Sequence, residues 1–318
     1  MDQRYSCTSN TVKLLKHLDA LQGISDGRVV PIMVHMMPTH RCQLNCAYCC
    51  FKNRADKSLD MPFDIAKSGI SQFRGLGTKA IELTGGGDPT LYPEINELLI
   101  FLSNLGFHIG VNTNAVDSQL VRHWDLCDWI RVSMNTFDSR ENLNLKPIRD
   151  SGATMSACYI WNEASNMNTL EKVASFCKDE KIICRIAPDC IRPLSEIDAS
   201  VNFLREAIRE LPNNEFLFLS DFNIDTIRHN ENCFIHMIKP CFYTDGYVYP
   251  CPSSELAQEN GSKMQRKFMV CRWDNIRDFY MSTDANKNVQ RSCSYCKYEK
   301  QNVLLEDLLT ETTFNEFA

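Results

Sequence analysis

Sixteen cysteines in a chain of 318 residues constrain this sequence more than any other feature. A disulfide framework would suit a small exported protein with too little core to hold itself together. This chain is long, and 44% of its residues are hydrophobic and 23% charged, the balance of a globular protein with a sizeable core. Lys13, Lys16, His17 and Asp19 interrupt any apolar stretch that an export signal would need. Clustered thiols in a reducing compartment are more often metal ligands, so a cytoplasmic metalloprotein is expected. The clustering is uneven. Cys42, Cys46, Cys49 and Cys50 are crowded together, while Cys233, Cys241, Cys251, Cys271, Cys293 and Cys296 fall in the last third. The apolar run Leu98 to Leu102 stops far short of the ~20 residues a membrane span needs, so no membrane association is expected. The formal net charge of −6 offers no overall basic field for a nucleic-acid backbone.

The middle of the chain alternates strand and helix. Val29 to Met37 is an apolar, β-branched run that ends just before the first cysteines. Further strands are expected at 80–84, 108–112, 129–133, 154–161 and 182–186. Helices are expected from Pro93 to the stop at Gly106 and over 170–181. Such alternation implies an α/β fold with a parallel sheet and right-handed crossovers. Six units are too few for a closed barrel, so an open, partial (βα)6 barrel is expected, with ligands at the C-terminal ends of its strands. After about residue 212 the pattern changes. A strand is possible over 216–219, a hairpin over 239–251 turns at Asp245-Gly246, and short helical patterns lie near 273–281 and 303–309. The expected division is a helical extension at 1–28, the barrel at 29–212, and a small cysteine-rich iron–sulfur domain at 213–318.

Cys42, Cys46 and Cys49 have the spacing C-x3-C-x2-C directly after the first strand. Three thiolates this close fit three corners of a cubane, leaving one iron without a protein ligand. A structural zinc site would instead want four ligands in paired knuckles. Cys50 reads as a packed thiol. This loop resembles the signature of the radical S-adenosylmethionine (SAM) superfamily. The resemblance implies that Cys42, Cys46 and Cys49 hold a 4Fe–4S cluster whose open iron chelates SAM, and that Tyr48 lies against the adenine. It also implies reductive cleavage of SAM to a 5′-deoxyadenosyl radical that takes a hydrogen atom from substrate.

Thr84-Gly85-Gly86-Gly87-Asp88-Pro89 follows the second strand, where glycines let backbone approach a ligand closely. It resembles the family's Gly-Gly-Glu motif, which holds the SAM amino group. Asp88 stands where the family usually has Glu, with a shorter reach. Ser133 and Asn135 would share a face of the fourth strand. They are either family-like ribose contacts or ordinary strand-end caps. Arg185, flanked by apolar residues, needs an anionic partner. That partner would be the SAM carboxylate, the substrate, or an acidic residue across the barrel.

The later cysteines resemble the twitch domain, a truncated SPASM domain holding one auxiliary 4Fe–4S cluster. The resemblance points to Cys233, Cys251, Cys293 and Cys296, with Cys271 in reserve; no cysteine follows Cys296, so a full SPASM domain with two auxiliary clusters is not expected. A four-cysteine zinc ribbon is the alternative. Cys241 is a competing ligand. A two-residue turn at Asp245-Gly246 would put it on the opposite face from Cys251, and a bulged three-residue turn on the same face. Cys127, Cys158, Cys177, Cys184 and Cys190 read as core thiols, with Cys158 and Cys184 as hydrogen-atom donors if they point inward.

The resemblance therefore implies an enzyme acting on a small-molecule or nucleotide-like substrate and driven by a donor such as flavodoxin or ferredoxin. About 30 residues precede the first strand, fewer than the leader-peptide reader of many peptide maturases would occupy. Net oxidation is expected, with the auxiliary cluster as electron acceptor. A peptide maturase or a redox-neutral epimerase is the alternative within the superfamily. A non-catalytic iron–sulfur electron carrier is the alternative outside it, and would leave the glycine motif unexplained.

Overall fold

The computed structural model describes residues 11–54, 56–139, 143–220, 232–252, 268–290, 296 and 298–310. The chain opens with a short 3-10 turn and helix α1 (Leu18–Ser25). Then β1 (Met33–Met36), α2 (Phe63–Leu76), β2 (Ala80–Leu83), α3 (Ile95–Asn104), β3 (His108–Thr113) and β4 (Trp129–Ser133) follow. Two short helices, α4 (Thr136–Ser139) and α5 (Lys146–Asp150), lead to β5 (Thr154–Trp161), α6 (Met167–Glu180), β6 (Cys184–Pro188), α7 (Leu194–Glu210) and β7 (Leu217–Leu219). Strands β1 to β7 pair in sequence order, all parallel, as the crossovers require. The architecture is an open α/β partial barrel.

The strand sequences explain which side of the sheet is dry. Val34, Met36, Ile81, Leu83, Ile109, Val111, Ile130, Val132, Ala157, Tyr159, Cys184 and Ile186 alternate along the strands and are buried in one core. Ala66, Ile70 and Phe73 on α2, Leu98, Leu99 and Leu102 on α3, and Val173, Ala174 and Cys177 on α6 complete it. The intervening strand positions hold His35, Glu82, Asn112, Arg131, Ser156, Cys158 and Arg185. They face the concave lumen.

The last third is continuous with this sheet. After β8 (Asn232–Cys233), β9 (Cys241–Phe242) runs parallel to β1, pairing His35 with Cys241 and Met36 with Phe242. β10 (Tyr247–Tyr249) and β11 (Cys271–Arg272) then extend the sheet antiparallel. The sheet order is β11-β10-β9-β1-β2-β3-β4-β5-β6-β7, so ten strands share one surface. Gly69 on α2 makes the junction possible, because a Cβ there would lie 2.6 Å from the Phe242 ring. The expected appendage is thus an extension of the barrel sheet on its β1 edge, and residue 212 falls between α7 and β7. Helix α8 (Ile276–Met281) packs on α2, β12 (Val289–Gln290) pairs with β8, and α9 (Glu299–Leu309) packs on α1. Among the described residues no helix is long and apolar enough to cross a membrane.

His236 lies fully buried at the centre of this extension, with Nε2 3.2 Å from the Ala285 carbonyl oxygen. Burial pulls its pKa from 6.5 down to about 4, against the contrary effect of that hydrogen bond. The folded value lies below the unfolded one, so stability is full above pH 6.5 and is lost as pH falls towards 4. Chemical denaturation should show a loss of about 2 kcal/mol from this group between pH 7 and pH 5. His236→Gln should flatten that slope. An unchanged slope would place the acid sensitivity elsewhere.

Candidate functional site

The loop between β1 and α2 carries the first cysteines and is tied down at its base. Thr39 pairs with Asp60 as a β-bridge, its hydroxyl donates to the Asp60 carboxylate at 2.6 Å, and Arg41 Nε donates to the same carboxylate at 2.9 Å. Arg54 is buried and donates to the carbonyls of His40 and Phe51, both at 2.8 Å. Tyr92 OH donates to the Met61 carbonyl at 2.7 Å. Cys42, Cys46, Cys49 and Cys50 project from this frame as half-buried thiols outside any disulfide.

The glycine loop after β2 docks against the cysteine loop, backbone to backbone. Gly87 N–H donates to the Thr39 carbonyl at 2.8 Å and Asp88 N–H to the Arg41 carbonyl at 2.7 Å. A Cβ on Gly87 would lie 1.9 Å from the Arg41 oxygen, and one on Gly86 2.7 Å from the His40 ring. The close approach expected of these glycines is therefore, in this structure, an approach to the cysteine loop itself. Gly85 folds back on Gly87 at similar range.

Asp88 has a structural assignment that its spacing did not reveal. Its buried carboxylate accepts from Thr90 N–H and Oγ1, from Thr113 Oγ1 and from Asn114 N–H, the last at 2.6 Å. Burial pushes its pKa up while these donors pull it down. Asn114 in turn donates from Nδ2 to Cys42 Sγ at 3.7 Å and to Gln43 Oε1 at 3.0 Å. Asp88 thus acts on Cys42 through Asn114.

The three thiols have the spacing of three ligands of a cubane. Among the described residues no three Cys, His, Asp or Glu side chains converge as one metal ion would demand. A cubane distributes its thiolates over separate irons and does not require that convergence. Burial, with smaller contributions from Asp88 and Cys49, pushes the Cys42 thiol up to about 11. A thiolate there needs a positive partner of its own, which a metal cluster is. Burial also pushes Tyr48 up, and its hydroxyl hydrogen-bonds Cys46.

Of the other expected residues, Ser133 ends β4 on the lumen face, in register with Cys158. Asn135 lies beyond the strand end, so strand alternation does not govern it. Its amide donates to the Ile160 carbonyl and accepts from Ile160 N–H, both at 2.8 Å. Arg185 faces the lumen, with Nη2 3.4 Å from Cys158 Sγ rather than on a carboxylate. Cys184 points the other way, buried beside Cys177 of α6, which removes it as a lumen thiol. Sequence reasoning missed His35, Glu82, Asn112, Arg131 and Ser156. Their signal was a polar residue at alternate positions of otherwise apolar strands. Glu82 lies 3.6 Å from His35 and accepts from Asn112 Nδ2 at 2.6 Å. Burial raises its pKa, but His35, Arg131 and Asn112 together hold it lowered.

In the sheet extension the turn at Asp245-Gly246 is the bulged three-residue form. Tyr243 N–H reaches the Tyr247 carbonyl, and Gly246 takes φ +81°. Cys251 lies past the end of β10. It joins Cys233 and Cys271 in the main core, while Cys241 packs with Met37, Tyr243 and Tyr249 in a separate cluster. Asn302 of α9 clamps the backbone on both sides of Cys233, donating to the Asn232 carbonyl and accepting from Phe234 N–H. The same helix begins where Glu299 N–H meets the Cys296 carbonyl. Cys293 lies outside the described residues.

Asp88→Ala should cost about 3 kcal/mol, from unmet buried donors at Thr113 and Asn114. It should also speed alkylation of Cys42 in the apoprotein, read by mass spectrometry, and Gly87→Ala should do likewise by displacing the Arg41 carbonyl. Unchanged stability and unchanged Cys42 reactivity would count against this account of the loop.

Comparison with known proteins agrees with this geometry. Residues 36–161 match the radical SAM superfamily. An S-adenosylmethionine-dependent nucleotide dehydratase from a Thermoplasmatales archaeon is 24% identical over 33% of this chain and 38% of its own length. A PqqA peptide cyclase from Bradyrhizobium diazoefficiens is 31% identical over 27% of this chain and 23% of its own. The chain thus spans well under half the length of these curated relatives. Among solved structures, SuiB of Streptococcus suis bound to precursor peptide SuiA has a TM-score of 0.57 at 17% identity, covering 87% of this chain and 72% of that one. Native anSMEcpe with bound AdoMet has a TM-score of 0.53 at 14% identity, covering 86% and 88%. At these identities the solved structures speak to the fold. The sequence match, the cysteine loop and the barrel that presents it point the same way: over residues 36–161 this chain is similar to the radical SAM superfamily.

Proposed function

We propose that this chain is a radical SAM enzyme that abstracts a hydrogen atom from a substrate held in the barrel lumen. The observation carrying this reading is the docking of the Gly85–Asp88 loop onto Thr39–Arg41, the residues that lead into Cys42, at the C-terminal ends of β1 and β2. Cys42, Cys46 and Cys49 would hold a 4Fe–4S cluster, and Cys233, Cys251, Cys293 and Cys296 an auxiliary one. When bound, these clusters and SAM supply one-electron reduction of the sulfonium, a 5′-deoxyadenosyl radical, and a sink for the second electron of a net oxidation. The chain's own part is to position them. Asn114 orients Cys42, Tyr48 and the Gly85–Gly86 turn would line the SAM site, and Ser133 faces the lumen. Glu82 is the carboxylate among the lumen-facing strand residues and is held ionised, so it can accept the proton that an oxidation releases.

The substrate is read here as a small molecule or nucleotide-like compound, in line with the matched dehydratase, with flavodoxin or ferredoxin as electron donor. A peptide is the second reading, favoured by the matched peptide cyclases. Deuterium transfer from labelled candidates of either class into 5′-deoxyadenosine discriminates between them.

Anaerobically reconstituted protein should carry about eight irons from two cubanes and bind SAM. A triple Cys42, Cys46 and Cys49→Ala variant should retain roughly half of that iron and cleave no SAM. A full iron complement in that variant would falsify the ligand assignment.

The fate of the substrate radical has its own test, because Cys158 is a lumen thiol. Under net oxidation, Cys293→Ala with Cys296→Ala should still yield 5′-deoxyadenosine but no oxidised product, while Cys158→Ala retains product. Loss of product in Cys158→Ala with hydrogen abstraction intact would identify a thiol-quenched, redox-neutral reaction instead.

A further inference from the structure

The lumen contains polar groups that the SAM-binding reading does not use. Following the register across the sheet, Asn112 is level with Arg131, Arg131 with Ser156, and Cys158 with Arg185. Trp129 lies across Gly110, where a Cβ would be 2.2 Å from its ring. The Arg131 guanidinium stacks on that ring at 4.9 Å and donates to Asn112 Oδ1 at 3.2 Å. Arg185 stands on the neighbouring strand, with its Nη2 on Cys158 Sγ.

Two features of this wall are incomplete. Ser156 Oγ and Arg185 Nε are both shielded from solvent, and neither has a hydrogen-bond partner. A buried donor without a partner costs on the order of 1–3 kcal/mol, and more when it is charged. Among the described residues the carboxylate near Arg185 is Glu82, which His35, Asn112 and Arg131 also engage. A thiol sulfur is a weak acceptor and does not neutralise the Arg185 guanidinium. A planar oxyanion would satisfy both orphaned donors, since guanidinium geometry matches a carboxylate.

We infer that Ser156 and Arg185, backed by Arg131, form a subsite for a carboxylate group of the substrate. The inference rests on the radical SAM reading only in naming the lumen as the substrate chamber. SAM carries a carboxylate too, and the effect of each variant on SAM affinity separates the two sources. By register Ser156 is level with Arg131 and Asn112, one step past Leu83 at the end of β2, and Arg185 is level with Cys158 and Ser133.

The test uses the reconstituted, unreduced full chain saturated with SAM, titrated calorimetrically with acetate at constant ionic strength. Acetamide is the uncharged control, and inorganic phosphate is the competing anion. Saturable acetate binding without acetamide binding is expected. Arg185→Gln should weaken acetate roughly tenfold or more, the loss of a charge-assisted hydrogen bond, and Ser156→Ala by a smaller factor. Arg185→Lys keeps the charge without the fork and should fall between wild type and Arg185→Gln. SAM affinity, titrated separately, should change less than about twofold in Ser156→Ala and Arg185→Gln. A large loss of SAM affinity in Arg185→Gln would reassign the group to the SAM carboxylate. No saturable acetate binding to the wild type, or phosphate outcompeting acetate by an order of magnitude, would overturn the carboxylate subsite. If the wild type fails to bind SAM at all, it is the functional reading that fails, and the acetate titration of SAM-free protein still decides the subsite.

Discussion

One buried carboxylate organises the top of this barrel. Asp88 sits where three chain segments meet and accepts from donors on two of them, the Thr90 turn and the end of β3, while its own N–H holds the third through the Arg41 carbonyl. A carboxylate is expensive to bury, and an acid of this kind persists only where several donors replace its water. The cysteine loop, the glycine turn and Asn114 therefore have a common anchor. A longer acid at that position would have to reach the same donors through an extra methylene. That is a physical account of why Asp serves here.

The same division of labour runs down the strands. One face is apolar and sealed by helices, so the sheet is held by burial and ladder hydrogen bonds. The other face is polar and is left to chemistry. Placing charge on a rigid sheet keeps Arg131 and Arg185 from reorganising when a ligand arrives, as a preorganised site requires. The stacking of Arg131 on Trp129 and the notch at Gly110 that admits the ring are parts of that rigidity.

Much of this was legible in the chain. The strands at 80–83, 108–113, 129–133 and 154–161 follow from apolar alternation and breaker residues, and the cysteine and glycine loops from their spacing. What escaped was long-range. Nothing near Cys241 says that it will lie beside His35, because strand pairing across such a separation leaves no local pattern, and so the last third read as a separate unit. Helices α2 and α7 escaped because their buried stripes are narrow, Ala66, Gly69, Ile70 and Phe73 in one case and Ile197, Val201 and Leu204 in the other. Asn135 illustrates a subtler limit. An amide that suits a ribose suits a backbone equally well, and only the position of Ile160 decides which it meets.

The pairing of β9 with β1 also has a consequence for biosynthesis. The strand that launches the cysteine loop gains its second neighbour only from a segment made about two hundred residues later. Until the ribosome has released that segment, β1 is a bare edge, and the loop above it hangs from one flank. Contacts of such sequence separation are slow to close and leave an edge open to wrong partners in the meantime. A nascent chain of this kind is best loaded with iron after translation has finished, when the hairpin has closed the edge and the thiols stand on a completed sheet.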